Sequence, residues 1–183
     1  MPRITDKDKI ISFLRGIGGD HLNRTLADHW AIDDYEMEKC HDRIQWLFPL
    51  HEDSRMASSY PVVTPEIVEE AKKHPEIKEN MIKSTKFYLK FLGVTGASDD
   101  AIVDLITGKT VIYPIKGNWC RLGDHNLLRI TRMLRSLRFF GAEVLAGELY
   151  PHFVRIGTRA NLGRLTLHYW ERAMKDEVWE TLY

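Results

Sequence analysis

Asp124-His125-Asn126-Leu127-Leu128-Arg129-Ile130-Thr131-Arg132-Met133-Leu134-Arg135-Ser136-Leu137-Arg138-Phe139-Phe140-Gly141 is the stretch that decides the fold class. Leu127, Ile130, Met133, Leu134, Leu137 and Phe140 recur at the three-and-four spacing of one helix face. Asp124 stands at the N-cap position and Gly141 where a left-handed residue closes a helix, so a helix is predicted over 124–140. On a helical wheel Arg129 and Arg138 flank the apolar sector, while Arg132 and Arg135 are expected to look outward.

The same chemistry recurs on both sides of this stretch. Helices are predicted near 6–15, over 22–30, from Asp33 or Asp34 to about Phe48 where Pro49 stops the run, and from Pro65 behind the cap Thr64. After a break at Pro75, another runs from Glu76 to Leu92. Two more follow near 142–156 and over 161–181, the last with Asn161 as cap candidate. Residues 49–63 read as a connector, and 103–115 as a small hairpin or an irregular loop. The expected fold is all-α, a compact bundle of about seven to nine helices forming one domain over 1–183.

Composition agrees with that class. Of 183 residues, 44% are hydrophobic and 28% charged, which supports a core and excludes disordered and collagen-like chains. Lys plus Arg is 26 and Asp plus Glu is 26, so no whole-molecule field attracts nucleic acid or acidic lipid, and an electrostatic partner must be read by a local patch. Cys40 and Cys120 lack the number and spacing of a disulfide scaffold or a zinc site and read as reduced thiols. The N-terminal region fits no secretory signal, and no apolar run approaches the roughly 20 residues that span a bilayer. An intracellular, cytoplasmic soluble protein without a transmembrane segment is expected.

Two segments carry unusual chemistry. On a wheel of the helix from Asp34, Met37, Cys40, Ile44, Leu47 and Phe48 share a core sector of about 100°, and Asp34, Glu38, His41 and Gln45 border it. Trp46 then points away from that core, toward the side of Asp42. It packs under the connector, or it joins His41, Asp42 and Gln45 as an aromatic platform for a peptide or small cationic ligand. On the later helix, His125, Arg129 and Arg132 fall within about 60° and form a cradle for a carboxylate or phosphate, if that face is open. Otherwise its charges pair with the acidic start of the earlier helix or are simply solvated.

His41-Asp42-Arg43-Ile44-Gln45-Trp46-Leu47-Phe48-Pro49-Leu50 and His125-Asn126-Leu127-Leu128-Arg129-Ile130-Thr131-Arg132-Met133-Leu134 together resemble the opioid growth factor receptor conserved region, whose signature reads HDxIQWLFPL. The similarity takes in Glu52, Ser54, Pro61, Pro65, Trp119, Gly141 and Tyr169-Trp170, roughly residues 30–172. The resemblance implies kinship with receptors for the peptide methionine-enkephalin that restrain cell growth and are unrelated to seven-helix opioid receptors. It allows nuclear or peripheral membrane association. The chain lacks the long repeat-bearing tail of many animal members and is expected to be a short stand-alone relative. The expected ligand site is a pocket lined by His41, Asp42, Gln45, Trp46, Trp119, His125, Asn126, Arg129 and Arg132, taking a peptide or a small anionic or cationic ligand, with no cofactor, metal or catalytic residue.

Two alternatives use the same residues. His41-Asp42 is a literal HD pair, as in metal-dependent phosphohydrolases, with His21, His29 and Asp124 available as further ligands. Adjacent helical residues diverge by about 100°, so the fold must supply those partners. The arginine row offers phosphate contacts for nucleic-acid binding, against an overall neutral charge and without a recognised binding motif. Thr107-Gly108-Lys109-Thr110 is not a phosphate loop, because Val103 stands where the first glycine is required.

Overall fold

The structure, a computed structural model, describes residues 3–53, 59–94 and 119–182; the stretch 103–115 lies outside them. Among the described residues there are nine helices and one two-stranded parallel ribbon, so the chain is all-α.

Helix α1 (Lys7–Arg15) begins where the Asp6 carboxylate accepts from the Lys9 N–H and ends at left-handed Gly16. Helix α2 (Leu26–Trp30) opens on a reciprocal capping box between Thr25 and Asp28, later than the expected 22–30. The delay has a local cause. The Asp20 carboxylate takes the N–H groups of Leu22 at 2.8 Å and Arg24 at 3.0 Å, an alternative to the helical ladder.

The expected single helix ending near Phe48 is two helices, α3 (Asp34–Lys39) and α4 (His41–Leu47). Cys40 between them is extended, with φ −89° and ψ 90°, and breaks the helical register. A wheel drawn through both halves therefore misplaces every side chain beyond the break.

The connector 49–63 carries more order than its composition suggests. Strand β1 (Arg3–Ile4) pairs in parallel with β2 (Tyr60–Pro61), and Leu50 bridges to Val62. Helix α5 (Pro65–Ala71) starts behind Thr64 as expected, and Pro75 opens α6 (Pro75–Phe91) at its first turn.

Helix α7 (His125–Phe139) is capped by Asp124 and followed by Gly141 at φ 73°. Helix α8 (Glu143–Arg159) continues through Pro151, past the expected end near 156. Asn161 caps nothing: it lies in the turn at φ 53°, and α9 (Arg164–Lys175) begins after Gly163. Helix α9 stops at Lys175 rather than 181, and residues 176–182 form a strap beyond it.

Helix α7 packs against α8 and α9, and twelve of its fifteen residues are buried. The outward orientation expected for Arg132 and Arg135 is thus corrected, since both are buried. Apolar periodicity identified one covered face of α7, but the chain covers the others as well. Trp46, Phe48, Ile130, Leu134, Phe153 and Trp170 belong to one apolar core. Close approach of α8 and α9 depends on Gly157, where an added Cβ would lie 2.8 Å from the Trp170 ring.

Candidate functional site

The break at Cys40 leaves two carbonyls that a continuous helix would pair with the N–H groups of His41 and Asp42. Arg129 of α7 takes them instead. Its guanidinium donates to Met37 O at 3.2 Å and to Glu38 O at 3.1 Å, a cation placed at the negative end of α3. One turn on, Arg132 donates to Phe48 O at 3.2 Å, and the Ser136 hydroxyl donates to Pro49 O at 2.9 Å. Helix α7 therefore clasps the C-terminal ends of both α3 and α4.

Asn126 completes the clasp. Its Nδ2 donates to Glu38 Oε2 and Asp124 Oδ1, both at 3.1 Å, while its Oδ1 accepts from Arg129 and from the Tyr88 hydroxyl. Burial pushes the Tyr88 phenol far up, so it serves as a donor. Burial lowers Arg129 from its ordinary value, partly offset by Tyr88, Glu38 and Asp124.

At the solvent edge of this joint Glu38, His41 and His125 meet. Glu38 Oε1 lies 3.2 Å from His125 Nε2, and the His41 and His125 rings meet edge to face at 5.6 Å. The Glu38 and His125 side chains keep 45% and 39% exposure, so a ligand can reach them. Partial burial, then Arg129 and His125, lower the His41 imidazole below its usual range and keep it neutral at pH 7. Glu38 was seen in sequence only as part of a polar border; its place here depends on the break at Cys40.

The other expected site residues lie elsewhere. Trp46 is fully buried, edge-on to Phe13 at 5.0 Å, and donates from Nε1 to His21 Nδ1 at 3.1 Å. Its exposed-platform orientation is corrected: the rotation at Cys40 turns it into the core beneath the α1–α2 loop. Asp42 pairs with Arg24 at 2.5 Å and lies 3.5 Å from His21 Nε2. Gln45 is buried, with Oε1 unpartnered among the described residues, and Trp119 donates to Leu92 O at 2.7 Å. Of the nine expected residues, His41, His125, Asn126 and Arg129 come together at this joint, His41 and His125 at its solvent edge and Asn126 and Arg129 buried beneath them.

Behind Asp42 runs a chain of groups that the sequence reading did not assemble. Arg24 bridges Asp42 to Asp20, and Asp20 accepts from His29 Nε2 at 3.0 Å. Burial alone would raise the Asp20 carboxyl, but bonds from His29, Arg24 and the Leu22 and Arg24 backbone hold it far below the usual carboxylate range. Because that carboxylate only accepts, neutral His29 carries its proton on Nε2.

The family model for the opioid growth factor receptor conserved region matches residues 18–179. The chain belongs to this family. It is 31% identical over 161 residues to opioid growth factor receptor-like protein 1 of Mus musculus, covering 82% of this chain and 32% of that protein. The opioid growth factor receptor of Homo sapiens is 32% identical over 130 residues, 70% of this chain and 18% of that protein. The chain thus spans about a third or less of the relatives' length. No solved structure gives a significant match.

In this member of the opioid growth factor receptor family, the HD pair does not converge: His41 faces His125, and Asp42 faces Arg24. Among the described residues, no three His, Cys, Asp or Glu side chains are placed to hold a metal ion. The arginine row is likewise occupied. Arg135 donates to Glu177 O and to Arg172 O, the latter at 2.6 Å, and Arg138 donates to Ala173 O at 2.7 Å and Asp176 O at 2.9 Å. These cations cap the end of α9, as Arg129 caps α3. No described helix is long and apolar enough to cross a membrane.

Proposed function

We propose that the domain is a binding and regulatory module whose ligand contacts the rim made by Glu38, His41 and His125. The observation that carries this reading is a division of labour at the joint between the α3–α4 corner and α7. Asp42, Gln45, Trp46, Asn126, Arg129 and Arg132 are buried or tied into fold contacts, while Glu38 and His125 remain open where the two segments meet. Relatives matched over 70% or more of this chain carry receptor or receptor-like names.

The rim presents a carboxylate beside two imidazoles over the braced end of α3. Such a site takes a peptide through its free amino terminus, or a small organic cation: Glu38 supplies the charge and the rings supply acceptors and aromatic edges. The free thiols Cys40 and Cys120 suit an intracellular setting, the placement we infer, with nuclear or peripheral membrane association open to the family.

Methionine-enkephalin is the probe. Titrated into isotopically labelled protein and followed by NMR, it should shift His41, His125 and Glu38 signals saturably. An N-acetylated version should bind roughly tenfold more weakly, since a buried or half-buried charge pair contributes about 1.4 kcal/mol or more. Equal binding of both peptides, or no saturable shift at the rim, contradicts the reading.

A further inference from the structure

The strap 176–182 is fastened at both ends, and between them its Trp179 packs against a titratable ring, His51. At its start, Arg138 and Arg135 hold the Asp176 and Glu177 carbonyls. At its end, Leu182 is fully buried, its N–H donates to the Glu52 carboxylate at 2.7 Å, and Arg172 donates to Thr181 O and Leu182 O at 2.6 and 3.0 Å. Midway, the Trp179 ring lies edge-on to Phe139 at 4.7 Å and to the His51 imidazole at 5.6 Å.

His51 is the odd member of this contact. Its ring also meets Phe139 edge-on at 5.6 Å, and both ring nitrogens are buried without a hydrogen-bond partner among the described residues. A neutral imidazole tolerates this wedge between two aromatics; an imidazolium there would bury two N–H groups with only the Trp179 main chain as a weak acceptor, too little to offset its desolvation.

From these contacts we infer that the strap is an acid-released latch, docked while His51 is neutral and loosened when His51 takes up a proton. From its own segment Glu52 favours the cation, as does the Trp179 backbone of the strap, whereas Arg135 of α7 opposes it. Arg135 is itself surrounded by Arg138 and Arg172 as well as Asp176 and Glu52. Burial dominates, and the imidazole is held below its usual value. A histidine depressed in the docked state stabilises docking above its free pKa, and that contribution is lost as pH falls through about 6.5 and below.

Release has a defined consequence. Val178 and Trp179 line a cavity of about 520 Å³ together with Pro65 and Val68 of α5 and with Phe139. Loosening the strap takes Val178 and Trp179 away from that lining and bares Phe139 and His51 to solvent.

Hydrogen exchange of the full chain, corrected for intrinsic rates and read on the segment 176–182, tests the latch. Between about pH 7.5 and about pH 5.5 protection there should fall roughly tenfold, with α7 and α8 unchanged. His51→Phe keeps an uncharged ring between Phe139 and Trp179 and should leave protection flat across that range. A direct NMR titration of the His51 ring in the unaltered protein should give an apparent pKa below that of a free histidine, and does not depend on the variant folding. Flat protection in the unaltered protein, the same loss in His51→Phe, or an unshifted His51 titration would overturn the proposal.

Discussion

Arg129 and Met37, 92 residues apart in the chain, are joined by a hydrogen bond of 3.2 Å from a guanidinium to a main-chain carbonyl. This contact turns the break between α3 and α4 from a defect into a stable corner, because the donor removed by the extended Cys40 is replaced from another helix. It also sets the direction of everything after Cys40: Trp46 goes inward and His41 meets His125.

Replacing Arg129 by Leu leaves Met37 O, Glu38 O and Asn126 Oδ1 without this donor. Each buried acceptor left unpaired costs about 1–3 kcal/mol, partly relieved by water at the Glu38 edge, so a total loss of about 2–4 kcal/mol is expected. Arg129→Lys should recover little of it, since an ammonium cannot present the fork that spans successive carbonyls. Urea midpoints of the two variants against the unaltered chain give the answer.

Acid should weaken the α1–α2 loop through Asp20. Its folded carboxyl lies below its unfolded value, so its stabilisation is present above the ordinary carboxylate pKa of about 3.9 and is lost as pH falls through and beneath it. Asp20→Asn, which leaves Arg24 without its charged partner at that end, should be less stable at neutral pH and show a flatter dependence below about pH 4. Denaturant unfolding followed from neutral to acid pH distinguishes the two curves.

Gly157→Ala should lower stability by about 1–3 kcal/mol, because the new methyl meets the Trp170 ring at 2.8 Å and Leu167 at 2.9 Å. Thermal unfolding reads it directly. Gly147 on the same helix has open space at its Cβ, and Gly147→Ala should be neutral or stabilising through helix propensity.

The pH dependence of rim binding has a definite sign. Protonation of His41, whose imidazole is held below its usual range by burial and Arg129, adds positive charge beside Glu38, so affinity for an amino-terminal cation should fall as pH drops below about 6.5. Calorimetric titrations with methionine-enkephalin across that range test it; an affinity that rises on acidification contradicts it.

The fold class was legible because it rests on local periodicity: the apolar stripe of α7, the Asp6, Thr64 and Asp124 caps, and the prolines that open α5 and α6 are all readable within a few residues. The corner at Cys40 was not. Nothing near it forbids a helix, and the group that satisfies its freed carbonyls is a side chain in α7. The wheel argument for Trp46 failed with it, as did the outward placement of Arg132 and Arg135, since a single helix wheel shows which face is apolar but not how many neighbours surround it. His41, Asn126, His125 and Arg129 could be named from the two signatures, while Glu38 and the Asp20–His29 pair needed long-range or loop geometry that no spacing rule supplies.

On the proposed reading, Arg132 and its neighbours build the joint while Glu38 at its edge meets the ligand. Measuring unfolding free energy and methionine-enkephalin affinity side by side for Arg132→Leu and Glu38→Gln tests that claim most directly. Arg132→Leu should lose about 2 kcal/mol of stability, with its folded fraction binding as the unaltered chain does. Glu38→Gln should keep stability within about 0.5 kcal/mol and lose roughly tenfold in affinity. Affinity that follows Arg132 at intact stability, or a Glu38→Gln protein that binds unchanged, would contradict the account.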